Sequence, residues 1–244
     1  MGARLMTRPP VVGLLYPGYA AEDDFPALEN ALGGAIRLPL VHTSIDRDEH
    51  TVEALLDTGS PDRLAEGADA IAVHSPDAVM WACTSGSFVY GGDGAASQAA
   101  AITERLGVPA SSTSIAFVEA ARALGLGKVA VAASYPADLA GHFRSFLAAG
   151  GIEVVSFGAS GIFTAVDVGR LGPEAVVGMA VAVDVPDAEA VLVPDTAMHT
   201  LTCIDALEQA LGKPVLTANQ VTVWEGLQLA RASRPLPGLG TIFR

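Results

Sequence analysis

The sequence is poor in cysteine and in positive charge. Its 244 residues include two cysteines, Cys83 and Cys203. Two thiols in a chain this long do not make a disulfide framework. Lys and Arg number 14 against 27 Asp and Glu, a net charge of −13. Such a chain lacks the basic footprint that phosphate backbones require, so no nucleic-acid partner is expected. The same sign argues against anionic membrane surfaces. No apolar run reaches about 18 residues without a charge, so no bilayer-spanning helix is expected. Arg4 and Arg8 precede the apolar residues 11–15, but that run is too short for a secretory signal. The expectation is a soluble, cytoplasmic protein.

Chemical motifs are equally scarce. The five histidines, His42, His50, His74, His142 and His199, are scattered. There is no HExxH, no CxxC and no His/Cys cluster at zinc spacing, so no metal is expected. No GxGxxG or GxxxxGK[ST] fingerprint occurs, and no GxSxG elbow. Gly91-Gly92-Asp93-Gly94 is glycine-rich but follows no strand directly. Nucleotide, metal and serine-hydrolase chemistry are therefore poorly supported.

What is present is apolar sequence in a regular alternation. Half the residues are hydrophobic and 17% are charged. A chain of this size buries roughly 70–75% of its unfolded surface. Strand-length apolar runs fall at residues 11–15, 35–41, 78–82, 129–132, 153–157, 190–193 and 215–217. Helical patterns fall between them, at 22–32, 46–56, 61–74, 95–106, 114–124, 137–149, 173–183, 200–211 and 221–230. Continuous apolar runs such as 78–82 suit parallel strands buried on both faces. Strands alternating with helices imply βαβ units and an α/β fold.

The pattern repeats. Asp77-Ala-Val-Met-Trp-Ala-Cys83-Thr84 aligns with Glu189-Ala-Val-Leu-Val-Pro-Asp195-Thr196. Leu106-Gly-Val-Pro109 aligns with Leu211-Gly-Lys-Pro214, and Tyr16-Pro17 with Tyr135-Pro136. Three pairs in one order predict two pseudo-symmetric, Rossmann-like halves with parallel sheets. The expected first half spans residues 1–115, with 218–244 packing back on it, and the second spans 116–217. Ligands in such sheets bind beyond the carboxyl ends of the strands. The repeat places Tyr16, Cys83, Tyr135 and Asp195 at strand ends, around a cleft between the halves.

Cys83 is the strongest chemical candidate, because it ends a buried strand and precedes the small polar run Thr84-Ser85-Gly86-Ser87. Backbone N–H groups there are unobstructed, and a helix start nearby would favour a thiolate. Asp195 reads either as an N-cap or as a second titratable group facing one ligand from the side opposite Cys83. Tyr16 and Tyr135 are phenol donors for a carboxylate or developing enolate. Thr84, Ser85 and Thr196 supply hydroxyls. Cys203, inside a helical pattern, reads as a small buried hydrophobe. If a loop closes over the site, residues 86–94 and 158–172 are the candidates.

These residues resemble the aspartate/glutamate racemase superfamily, and within it the branch of maleate cis-trans isomerase and arylmalonate decarboxylase. The resemblance rests on the strand followed by Cys83-Thr84-Ser85, on Tyr135 after its strand and on Pro194-Asp195-Thr196. It covers most of the chain, and includes Arg122-Ala-Leu-Gly-Leu-Gly-Lys-Val-Ala-Val-Ala-Ala-Ser-Tyr135. It implies a small-acid site between two halves, with no cofactor or metal, in a monomer or homodimer. Racemases of this group carry a cysteine in each half, at the positions of Cys83 and Asp195. In maleate isomerase the first cysteine adds to the double bond. The decarboxylase keeps only the second, which protonates an enediolate held by residues matching Thr84, Ser85 and Tyr135 and by a backbone N–H near Thr196.

This chain keeps the first cysteine and has Asp195 in place of the second. A two-thiol racemase is thereby disfavoured. An ionised Asp195 would repel a dicarboxylate and suit a substrate bearing a hydroxyl, amide or ammonium donor. The reading is a cofactor-independent, cysteine-dependent isomerase of a small carboxylic acid. The alternatives are a decarboxylase or other single-cysteine proton-transfer enzyme, and a non-catalytic small-acid binding protein.

Overall fold

The computed structural model describes residues 8–244. The chain begins β1 (Val12–Pro17), α1 (Asp24–Ala31), β2 (Leu40–Thr43), α2 (Val52–Thr58), α3 (Pro61–Ile71), β3 (Ala78–Trp81). It continues α4 (Ser85–Phe88), α5 (Gly91–Leu106), β4 (Ala110–Ser112) and α6 (Thr113–Ala123). Then come β5 (Lys128–Ala133), α7 (Ala137–Ala149), β6 (Glu153–Ala159), α8 (Ala165–Gly169) and α9 (Pro173–Val183). The last elements are β7 (Ala190–Val193), α10 (Ile204–Leu211), β8 (Val215–Thr217) and α11 (Ala218–Leu229).

The strands form two sheets of four, in the orders β2-β1-β3-β4 and β6-β5-β7-β8, and every pairing is parallel. The same topology occurs twice, as the sequence repeat requires. β3 and β7 are buried along their whole length, which is why both read as unbroken apolar runs. Gly107 and Gly212 close α5 and α10 at φ of +70° and +65°. A left-handed residue followed by Pro109 or Pro214 is how both helices turn into the next strand.

The helices lace the halves together. Glycine at 226 lets α11 lie close on the first sheet, since a Cβ there would meet Val12 Cγ1 at 2.3 Å and Met80 at 3.2 Å. α6 reaches the second half, where Val118 packs on Gly150. Thr113 of α6 and Thr222 of α11 share a buried hydrogen bond of 2.7 Å. Buried Asp24 of α1 seals the seam, its Oδ2 accepting from Thr200 N (2.9 Å), Leu201 N (3.1 Å) and Asn219 Nδ2 (3.0 Å).

Four expectations need correction. The strand read over 35–41 lies at Leu40–Thr43, with Arg37 making only an isolated bridge to Val11. The helix read over 46–56 starts only at Val52, capped by Thr51, whose side chain accepts from Ala54 N. Residues 46–51 instead form a strap to the second half, where the Asp48 carboxylate accepts from Ala165 N (2.9 Å) and Val166 N (3.1 Å). The helix read over 200–211 starts at Ile204, because Asp24 has taken the amides of Thr200 and Leu201. Residues 86–94, a candidate closing loop, are almost wholly helical, in α4 and the first turn of α5. The short β4, α4 and α8 were not foreseen; β4, Ala-Ser-Ser, carries no apolar pattern.

The close approach at Gly226 is testable. Gly226→Val is expected to cost about 1–3 kcal/mol, the range for overpacking. The measure is a lowered urea midpoint at unchanged m. Gly178→Val, whose added Cβ meets open space, should show no overpacking penalty.

Candidate active site

In each sheet the strand order reverses beside the first strand, between β1 and β3 and between β5 and β7. Crevices at such reversals hold ligands in α/β sheets. Tyr16 is the penultimate residue of β1 and Cys83 lies two residues past β3; Tyr135 and Asp195 lie two residues past β5 and β7. A small cavity of about 50 Å³ lies between them, walled by Tyr16, Cys83, Ser85, Asp195 and Thr196 among others. Thr84 and Tyr135 are not on that wall but behind it, fully or almost fully buried.

Cys83 Sγ accepts a hydrogen bond from Gly86 N at 3.2 Å and lies 3.8 Å from Ser85 Oγ. Gly86 is needed for that approach, because a Cβ would sit 3.0 Å from the sulfur. Burial nevertheless pushes the thiol up to about 11, and the negative charge of Asp195 adds to it, against the hydrogen bonds from Gly86 and Ser85. At neutral pH Cys83 is a thiol rather than the thiolate that a helix start suggested.

Asp195 is 3% exposed. Its Oδ2 accepts from the Ser134 hydroxyl and its Oδ1 from Ala197 N at 2.9 Å. The bond to Ala197 is the capping contact anticipated for this aspartate, and it coexists with a place on the cavity wall. Ser134 was missed in the sequence, although a signal existed. The repeat sets Ser134-Tyr135-Pro136 against Leu15-Tyr16-Pro17, and a polar residue replacing a buried leucine marks a partner for the carboxylate.

The phenols tie the loops together. Tyr16 Oη donates to Thr196 O at 3.0 Å, across the two halves, and accepts from Ala21 N. Tyr135 Oη donates to Pro194 O. Burial raises both phenols well above their ordinary range, reinforced by the Asp195 charge, so both stay protonated. Thr84 Oγ1 is buried without a protein hydrogen-bond partner, beside Tyr135.

His50 also lines the cavity and was not singled out from the sequence. It is 5% exposed and packs edge-on against the Tyr135 ring, with centroids 5.1 Å apart. Its Nδ1 lies 2.9 Å from Ile162 O and its backbone N 2.7 Å from Phe163 O. It went unseen because 46–56 reads as a plain acidic helix. His199 pairs with Asp23 at 2.7 Å, off the cavity wall. Cys203 is buried at the start of α10 and donates to Thr200 O, also off that wall.

Among the described residues, no group of three His, Cys, Asp or Glu side chains could hold a metal ion. No described helix is long and apolar enough to cross a membrane. A larger apolar groove of about 600 Å³ lies between α3 and α5, away from Cys83 and Asp195.

A family model described as arylmalonate decarboxylase matches residues 56–243. The arylmalonate decarboxylase of Bordetella bronchiseptica is 26% identical over 242 residues, covering 98% of this chain and 95% of that protein. A maleate isomerase of Nocardia farcinica is 26% identical over 253 residues, covering 96% and 95%. Among solved structures, a cysteine-to-serine mutant of the Nocardia farcinica maleate cis-trans isomerase, with a covalently bound succinylcysteine intermediate, superposes with a TM-score of 0.87. It is 23% identical and covers 96% of this chain and 98% of that one.

The charge of Asp195 opposes ionisation of Cys83, so removing it has a defined sign. Asp195→Asn should shift the pH profile of iodoacetamide alkylation at Cys83 to lower pH, read by mass spectrometry of the Cys83 peptide. Cys203, raised to about 11 chiefly by its own burial, serves as internal reference. A Cys83 profile that does not move would show that the charge of Asp195 does not reach the sulfur.

Proposed function

This chain belongs to the arylmalonate decarboxylase family, and we propose that within it the protein is a cofactor-independent cis-trans isomerase of a small carboxylic acid, with Cys83 as nucleophile. It is an enzyme of the maleate isomerase and arylmalonate decarboxylase group. The observation that carries the isomerase reading is a lone thiol on the wall of the small cavity, with a backbone N–H and a hydroxyl at the sulfur.

Sγ of Cys83 bonds to one carbon of a double bond conjugated to a carboxylate. The alkene electron pair moves onto the neighbouring carbon and its carboxylate, as an enediolate. The S–H proton finishes on that carbon. The former double bond is now single and rotates. Loss of the proton and rupture of the C–S bond return the thiol and the trans alkene. No electrons are gained or lost overall. A succinylcysteine, the adduct in the Nocardia relative, is what such addition to maleate produces. The hydroxyl of Ser85 on the wall, with those of Thr84 and Tyr135 behind it, is assigned to the carboxylate and its enediolate form, Tyr135 exchanging its bond to Pro194 O for one to the ligand. Tyr16 and Thr196 shape the opposite wall, where Asp195 serves as acid/base or as substrate anchor.

The raised thiol favours a second reading. A cysteine that stays protonated near neutral pH is suited to protonate a carbanion after loss of CO₂. As a decarboxylase, the protein would deliver that proton from the first half, giving product of the handedness opposite to that made by second-half cysteine decarboxylases.

Proton NMR in D₂O with maleate, a phenylmalonate and 2-substituted dicarboxylates separates the readings. Cis-to-trans conversion, lowered about a thousandfold or more in Cys83→Ala, is the expected outcome. Loss of CO₂ with deuterium uptake at carbon would move the function to decarboxylation. A Cys83→Ala variant as active as the native protein would end both.

A further inference from the structure

We infer that the substrate of this site is a monoamide of a short cis-unsaturated diacid, its carboxylate toward Ser85 and Thr84 and its carboxamide N–H groups toward Asp195 and His50. The inference rests on the isomerase reading and gives that reading its substrate class.

Charge makes the first part of the case. Among the described residues, the cavity wall carries three carboxylates, Asp48, Glu49 and Asp195, and a single Lys or Arg, Arg47. The Arg47 side chain is 42% exposed and is engaged by Glu49 at 3.5 Å and Glu53 at 3.0 Å. No described cation on that wall stands ready for a second substrate carboxylate. A dianion entering here would bring one negative end against buried Asp195, where Coulomb repulsion is screened least.

Hydrogen-bond direction makes the second part. Ser134 and Ala197 each donate to one oxygen of Asp195. A carboxylate oxygen has a further lone pair, so the Asp195 group can accept more but offers no donor. His50 behaves the same way. A carbonyl oxygen only accepts, so Nδ1 must carry the hydrogen that goes to Ile162 O. In the neutral ring Nε2 then holds a lone pair, and it has no hydrogen-bond partner among the described residues. Both acceptors line the cavity and call for a donor. Donors for a carboxylate lie in the Cys83 loop, with Ser85 on the wall and buried Thr84 behind it, its Oγ1 without a partner among the described residues.

The addition step chooses among donors. Thiol addition needs a double bond conjugated to a carbonyl. A carboxamide keeps that conjugation, removes one charge and presents two N–H donors. An ammonium group on the same alkene would not keep it.

The test uses maleamate and maleate at pH 8, above the ordinary range of an imidazole. The native protein should convert maleamate to its trans isomer with kcat/KM at least tenfold that for maleate. Calorimetry with Cys83→Ala, which binds without turnover, should show a matching preference. Adding Asp195→Asn to Cys83→Ala should erase it, whereas loss of general integrity would weaken both ligands alike. Maleate preferred over maleamate, with turnover still dependent on Cys83, would overturn the substrate assignment and leave the isomerase reading standing. A preference for maleamate that survives Asp195→Asn would overturn the anchor role on which the assignment is built. Turnover of neither compound would remove the isomerase reading and the assignment with it.

Discussion

A carboxylate buried at the end of β7 governs the candidate site. Asp195 is held on both oxygens, by Ser134 and by Ala197 N, so it can neither swing away nor lose its contacts without exposing a polar void. Burial raises Cys83, Tyr16 and Tyr135, and the charge of Asp195 adds to each in the same direction. The phenols remain neutral donors and the thiol remains a thiol. Here a proton-bearing sulfur faces an acceptor, so the two walls are chemically unequal although the two sheets share one topology.

That inequality grows from a symmetric frame. Each half repeats the order 2-1-3-4, each closes a helix with a left-handed glycine before proline, and each puts a tyrosine at or just past the end of its first strand. Two of the departures from that symmetry are coupled. Cys83 is matched by Asp195, and Leu15 by Ser134. A carboxylate buried at one position required a hydroxyl at the other, which makes these two differences one change in physical terms.

The frame was legible because buried parallel strands read as unbroken apolar runs and because the repeat put Cys83, Asp195, Tyr16 and Tyr135 at equivalent strand ends. The strap over 46–51 was not legible. Its acidic residues fit a solvated helix face, and nothing local shows that Asp48 bonds amides more than a hundred residues away. His50 was lost with it. The late start of α10 has the same origin, since Thr200 and Leu201 are claimed by Asp24 of α1. The high thiol of Cys83 was also out of reach. A strand end flanked by Thr84 and Ser85 suggests an open, activating loop, and only the packing shows the sulfur to be enclosed.

The strap has a kinetic meaning. Asp48 and His50 leave the first half and fasten to residues 162–166 of the second through two carboxylate contacts, one ring nitrogen and one backbone amide. The cavity behind them is small, about 50 Å³. Loosening those fastenings would act on the entry and exit of a ligand. Traffic through the mouth, rather than bond-making at sulfur, is then a natural place for the turnover rate to be set.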